Sequence, residues 1–260
     1  MRDILDDAHE HREDGYGRAQ KHTKVELPKR FYKAAGVGMY PEGGFTVTLD
    51  GKATRTPGKV PVVLPVAGIA TKMAEEWGAQ GECINPETMP TVRLINAALE
   101  SGGDSVPALR EEIVKYAAGD LMLYRAEFPR ELVSEQEAVW DAALVKIARH
   151  FGVAFQPTIG IMHQEQPPQT LARLADALQD EGHLVLTALV SITGITGSGL
   201  LAIGLWHQLF TPDHVWMAAH VDEDYQIGQW GEVEEAKERR LKRRRDFDAA
   251  VAVLDHLRTA

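Results

Sequence analysis

Three consecutive carboxylates, Asp222-Glu223-Asp224, are followed closely by Tyr225, Gln226, Trp230, Gly231 and Glu232. Such side chains can ligate a cation, exchange protons or meet a basic surface. The first two uses need companions, either a metal-ligand spacing or a nucleophile with its base. Neither accompanies this stretch. Adjacent acids repel one another with only modest screening across such short separations. Their physical use is to meet a basic partner, which points to binding rather than catalysis. Asp222, Glu223, Asp224, Gln226, Glu232 and Trp230 are therefore the candidate contact residues. Trp230, like Trp77, also suits a packing role, and packing is the expectation for both.

Other residues with chemical capacity lack one part or another. Gly194, Gly197 and Gly199 suggest a phosphate-cradling loop, but the P-loop spacing and its lysine are missing, and no preceding strand supplies a dinucleotide fold. Close helix packing is the better use for them. Ser198 lies between glycines without the strand-to-helix pattern of a nucleophile elbow. His207, His214 and His220 are separated by seven and six residues, which puts them on no common helical turn. Cys83 is the only cysteine, so there is no intrachain disulfide and no cysteine-based zinc site. No cofactor is implied. A small-molecule enzyme with a polar pocket of dispersed acids and histidines is the alternative that one sequence leaves open.

The basic run Lys237 to Arg245 resembles a nucleic-acid patch in isolation. Glu234, Glu235 and Glu238 precede it, however, and Glu235/Arg239 and Glu238/Lys242 fall at the spacing of stabilising helical pairs. Val233, Leu241, Phe247, Val251, Leu254 and Leu257 give the same helix an apolar face. A salt-bridged terminal helix is expected, not a nucleic-acid surface. The net charge of -10 agrees, because it disfavours phosphate backbones and anionic lipid.

These groups must be positioned by a folded chain. The 260 residues are 44% hydrophobic and 25% charged, the proportions of an ordinary folded protein with a substantial core. Residues 1–27 mix acids with scattered bases and read as a polar arm, with His9 and His11 on its surface. They offer neither the apolar core of a secretory signal nor the acid-poor composition of a transit peptide. Leu184 to Trp206 carries no charge and is long enough for a bilayer, but its flanks hold Asp180, Glu181 and Asp213 rather than bases. Its Gly, Ser and Thr content predicts buried helices bent near Gly194 to Gly199, with no stable membrane insertion.

From Arg30 to Val66 the pattern is that of short strands: Phe31 to Ala34, Phe45 to Leu49, Thr54 to Thr56 and Val60 to Val66, with turn signals at Pro41 to Gly44 and Asp50-Gly51. From Val66 on, helical spacing takes over. Ala70, Met73, Ala74 and Trp77 share one face. Ser105 could cap a helix carrying Leu109, Ile113, Tyr116 and Ala117. Ser134 starts a capping-box pattern before the stripe Trp140, Leu144, Ile147, Ala148 and Phe151. Leu171, Leu174, Ala175 and Leu178 repeat the pattern, and Thr211-Pro212 opens another helix. The expectation is an α+β protein. Its parts are a polar arm (1–27), a β-rich domain with one covering helix (28–90) and a larger helical domain (91–260).

Taken together, these segments resemble a known family. Leu49-Asp50-Gly51-Lys52 with Thr56-Pro57, Glu76-Trp77 with Gln80, Met89-Pro90, Asp120-Leu121 with Tyr124-Arg125, Gln136 with Trp140-Asp141, Gly197-Ser198 and Glu223-Asp224-Tyr225-Gln226 with Trp230-Gly231 resemble the motifs of the ATP12 family of ATP synthase F1 assembly chaperones. The resemblance runs from about Lys29 to Leu257. Gly78, Thr91-Val92 and Val233 depart from the usual residues. The resemblance implies a chaperone, not an enzyme, that holds the unassembled α subunit of F1, and it places the family's important acid on Glu223. Family members serve in mitochondria and in some bacteria; the acidic N-terminus suits a bacterial cytoplasmic member, expected to be monomeric when free.

Overall fold

The computed structural model describes residues 27–259, so the expected polar arm, with His9 and His11, lies outside the described residues except for Leu27. The chain divides into two compact units. The described part of the first is residues 27–31 and 80–85, where Ile84 N–H donates to Pro28 O and Arg30 N–H to Glu82 O, both at 2.8 Å. The second unit is Tyr32–Ala79 with Pro86–Ala260 and holds the sheets and helices.

Its sheet has three antiparallel strands in the order β1 (Ala35–Met39), β2 (Phe45–Leu49) and β3 (Lys52–Ala53), with Val37 opposite Val47. The β2–β3 turn is Asp50-Gly51, both with positive φ of 48° and 79°, the geometry that a two-residue hairpin demands. Phe31 to Ala34, expected as a strand, is not one. The Asp50 carboxylate accepts the Lys33 and Ala34 N–H groups, so this segment is held by a side chain instead of a ladder. The true partner of β2 is Ala35–Met39, whose Gly36 and Gly38 hid it from a reading based on β-branched residues. Thr54 to Thr56 and Val60 to Val66 are likewise extended without forming strands. They make single bridges, Phe45 to Leu64 and Arg55 to Pro61, because Pro61 and Pro65 interrupt the run of donors.

Helix α1 (Ala67–Gly78) packs on β1 and β2, with Ile69, Ala70 and Met73 buried. There follow α2 (Pro90–Ser101), α3 (Val106–Ala118), β4 (Tyr124–Arg125), α4 (Arg130–Gln136), a π-helical turn (Glu137–Asp141) and α5 (Ala142–Phe151). Next come β5 (Thr158–Ile159), α6 (Pro168–Asp176), α7 (His183–Thr196), α8 (Gly199–Trp206), α9 (Pro212–Ala219), α10 (Val221–Trp230) and α11 (Glu234–Arg258). β4 and β5 form a two-stranded parallel sheet. The fold is α+β, with a larger helical part.

The uncharged segment is core. α7 packs against α2, α3, α8 and α11 and buries Val185, Leu186, Ala188, Leu189 and Ile192. Burying each such aliphatic side chain contributes about 1.5–3 kcal/mol. Gly197 ends α7 in the left-handed conformation and Ser198 caps α8, accepting the Leu201 N–H at 2.9 Å. Among the described residues no helix is long and apolar enough to cross a membrane. Gly199 meets α3 so closely that a Cβ there would lie 2.3 Å from Ile113 O, which explains the glycine without any phosphate.

Three local expectations fail. Ser105 does not cap α3, because its hydroxyl donates back to Gly102 O at 2.7 Å, and Tyr116 of that helix is exposed. Ser134 lies inside α4, which starts after Pro129, so the helix begins a turn earlier than the capping-box pattern suggests. α11 buries Phe247, Val251 and Leu254, but Val233 and Leu241 are exposed, so its apolar face covers only the C-terminal half.

Candidate functional site

Most of the motif residues prove to be polar braces between segments far apart in sequence. Glu76 on α1 accepts the Thr91 and Val92 N–H groups, each at 2.8 Å, and so satisfies the first turn of α2. Burial pushes its carboxyl up, against those bonds. Tyr32 donates to Trp77 O at 2.6 Å and meets the indole edge-on. Trp77 thus packs, as expected. Asp120 is completely buried and accepts from Ser198 Oγ at 2.7 Å, Leu200 N at 2.9 Å and Met122 N at 3.1 Å. Desolvation pushes its carboxyl up from 3.8 to about 7, while the bonds from Leu200, Ser198 and Met122 pull it back. Arg125 donates to Met122 O and to Asp141, and Trp140 Nε1 donates to Ala218 O at 2.7 Å.

One brace leads directly to the acid turn. Gln136 accepts the Ala126 N–H at 2.8 Å and donates to Asp222 Oδ1 at 2.7 Å, tying α4 and the β4 exit to α10. The carboxylates Asp222, Glu223 and Asp224 occupy the first turn of α10, where the helix dipole favours negative charge. Each has a partner inside the chain. Glu223 accepts from Arg243 Nη2 with both oxygens, at 2.9 and 2.8 Å, and Asp224 pairs with Arg240 at 2.5 Å. His220, buried against the Trp216 ring, points Nε2 to within 3.8 Å of Glu223; desolvation lowers its pKa.

The basic run of α11 is arranged accordingly. Arg244 reaches Asp213 and Asp248 at 2.8 Å, and Lys242 reaches Glu87 at 2.5 Å instead of the expected Glu238. The expected Glu235/Arg239 pair is present, at 3.9 Å. Beside Glu223, a cleft of about 530 Å³ opens between Ala236, Arg239, Lys242, Arg243 and Asp246.

The distal end of α10 differs. Gln226 and Glu232 are exposed, and Trp230 is 79% exposed, so the indole does not pack as expected. Val233, beyond the Gly231 turn, is 66% exposed. The structure therefore assembles all six candidates on one helix and its C-terminal turn, with Asp222, Glu223 and Asp224 paired and Trp230 exposed. The histidines separate: His207 sits against His150 and Phe151, His214 against Phe210, and His220 under Trp216. Cys83 is exposed.

A second exposed feature went unread in the sequence. β4 and β5 run parallel, so their exits lie at the same end; Ile159 closes β5, and Phe128, Ile161 and Met162 follow the strands, all four exposed. Phe128 is 75% and Ile161 94% exposed; large apolar side chains gathered on a surface mark contact sites, whereas single ones do not. The short run Ile159 to Met162 between Pro157 and polar Gln164 was the available signal.

The geometry is that of a braced scaffold presenting acids and large apolar side chains. Comparison with known proteins agrees. The family profile described as ATP12 chaperone protein matches residues 29–148. Atu1473 of Agrobacterium tumefaciens, a candidate chaperone, is 41% identical with a TM-score of 0.84, over 92% of this chain and 90% of that one. Atp12 from Paracoccus denitrificans is 30% identical with a TM-score of 0.79, over 88% of this chain and 97% of that one. The chain belongs to the ATP12 chaperone family. A point mutant of the same Paracoccus protein matches at 29% identity and a TM-score of 0.78. The ATP12 motifs read in the sequence are thus mainly the braces described above.

Proposed function

We propose that this ATP12-family chain is an assembly chaperone that binds the unassembled α subunit of F1 ATP synthase in the bacterial cytoplasm. It holds that subunit against aggregation until the α/β ring forms. An unassembled ring subunit exposes apolar interfaces and strand edges that self-associate. A holding protein must cover such a surface yet release it to the permanent neighbour, which favours a few aromatic anchors within a charged rim. The observation that carries this reading is the exposed Trp230 at the end of the acid-bearing α10. Asp222, Glu223, Asp224, Gln226 and Glu232 form the polar part of the contact, with Glu223 the central acid. Phe128, Ile159, Ile161 and Met162 extend the contact on the α4 side.

The test is suppression of aggregation. Purified α subunit is warmed alone, with this protein, and with an unrelated protein of similar acidity, while light scattering is followed. Protection at near-stoichiometric amounts by this protein alone is expected. Equal protection by the acidic control, or none by either, contradicts the proposal.

A further inference from the structure

A cleft of about 270 Å³ that shares no residue with either exposed feature is lined by Ala142, Ala143, Lys146, Leu209, Phe210, Thr211 and His214. Its floor is the Phe210 ring, on which the His214 imidazole stacks at 5.0 Å with 19° between planes. The Lys146 ammonium sits 5.5 Å from the centre of the same ring. Two polar groups line the cleft. The Lys146 side chain is exposed and lies over the ring, and among the described residues it is in no ion pair, like Lys52 and Lys59. His214 Nε2 is buried without a hydrogen-bond partner, an arrangement that costs free energy unless something meets it. Burial, and then the Lys146 charge, lowers the pKa of His214. The nearest acid in sequence, Asp213, is held by Arg244.

An unpaired ammonium and an unmet imidazole nitrogen, beside an aromatic floor and aliphatic walls, match one chemistry. We propose that this cleft binds a carboxylate borne on a small aromatic or branched apolar body. The anion lies between Lys146 and His214, and the body lies on Phe210 and Leu209. A free organic acid and the terminal carboxylate of a polypeptide ending in Phe or Leu share this chemistry. Neither depends on the chaperone reading.

The test uses the full chain with ¹³C-labelled histidine, the His214 Cε1–H signal being assigned by its loss in His214→Gln. The probes are benzoate, benzyl alcohol, and the tripeptide Gly-Gly-Phe as free acid or as amide. Benzoate should move the His214 signal saturably and benzyl alcohol should not. Bound carboxylate should also raise the pH at which His214 titrates, since a nearby negative charge favours imidazolium. Lys146→Met should weaken benzoate binding about ten-fold or more, and Lys146→Arg should largely retain it. Tighter binding of the tripeptide acid than of benzoate assigns the site to a chain terminus; the reverse assigns it to a free acid. No saturable shift with either acid, or an unchanged one in a folded Lys146→Met variant, overturns the proposal.

Discussion

Asp120 shows what a single buried polar residue does here. Its carboxylate meets the hydroxyl of Ser198 and the N–H groups of Leu200 and Met122 at the point where α7 gives way to α8. Removing it orphans these donors, and each costs about 1–3 kcal/mol when buried. Asp120→Ala should therefore lose about 3 kcal/mol or more in urea denaturation; a loss under ~1 kcal/mol contradicts the brace. The pH dependence follows from the raised pKa. The folded carboxyl titrates near 7 and the unfolded one near 3.8, so between these values the folded state holds a proton that the unfolded state has released. The stability contribution of Asp120 then falls as pH rises from roughly 4 to 7 and is level above that. Asp120→Asn lacks this proton, so the stability difference between wild type and variant should shrink across that window. A difference independent of pH would show that Asp120 ionises in the ordinary range.

Among the elements, α7 and α8 were the most legible. The absence of charge, the small residues and the glycine cluster gave both the burial and the break, since nothing else satisfies an uncharged stretch flanked by acids. Gly199→Val should destabilise the protein by about 1–3 kcal/mol, measured by thermal and chemical unfolding, because its side chain must displace the α3 backbone. Unchanged stability would mean that α3 and α8 are not packed at this closeness. β1 and the start of α4 were not legible for different reasons. β1 is set by the turn and register of β2, not by its own glycine-bearing sequence, and tertiary pairing overrode propensity. Ser134 offered a capping pattern, but Pro129 already marked the α4 start one turn earlier.

For the molecule as a whole, the acid turn could be located from sequence but its surroundings could not. Nothing local says that Arg240 and Arg243 return to Asp224 and Glu223, because that depends on how α11 lies against α10. Nor does a motif reveal exposure: Trp230 reads as a packing residue until α10 is seen to end in solvent. Replacing Trp230 and Val233 together with serine should leave stability within about 1 kcal/mol, as exposed side chains contribute little, while protection of the α subunit falls sharply. Protection equal to wild type would remove these anchors from the contact.

The acids of α10 are proposed to grip another polypeptide while held within the chain by Gln136, Arg243 and Arg240. The direct measurement is the affinity for purified F1 α subunit of wild type, Glu223→Lys, Arg243→Glu and the charge-swapped double variant, by titration calorimetry. Because the Glu223–Arg243 pair is partly exposed, its loss should cost only about 1 kcal/mol of stability. Glu223→Lys should weaken binding at least about ten-fold, and the double variant, with its internal pair restored, should stay weak. Wild-type affinity in Glu223→Lys, or its full recovery in the double variant, would contradict the proposal.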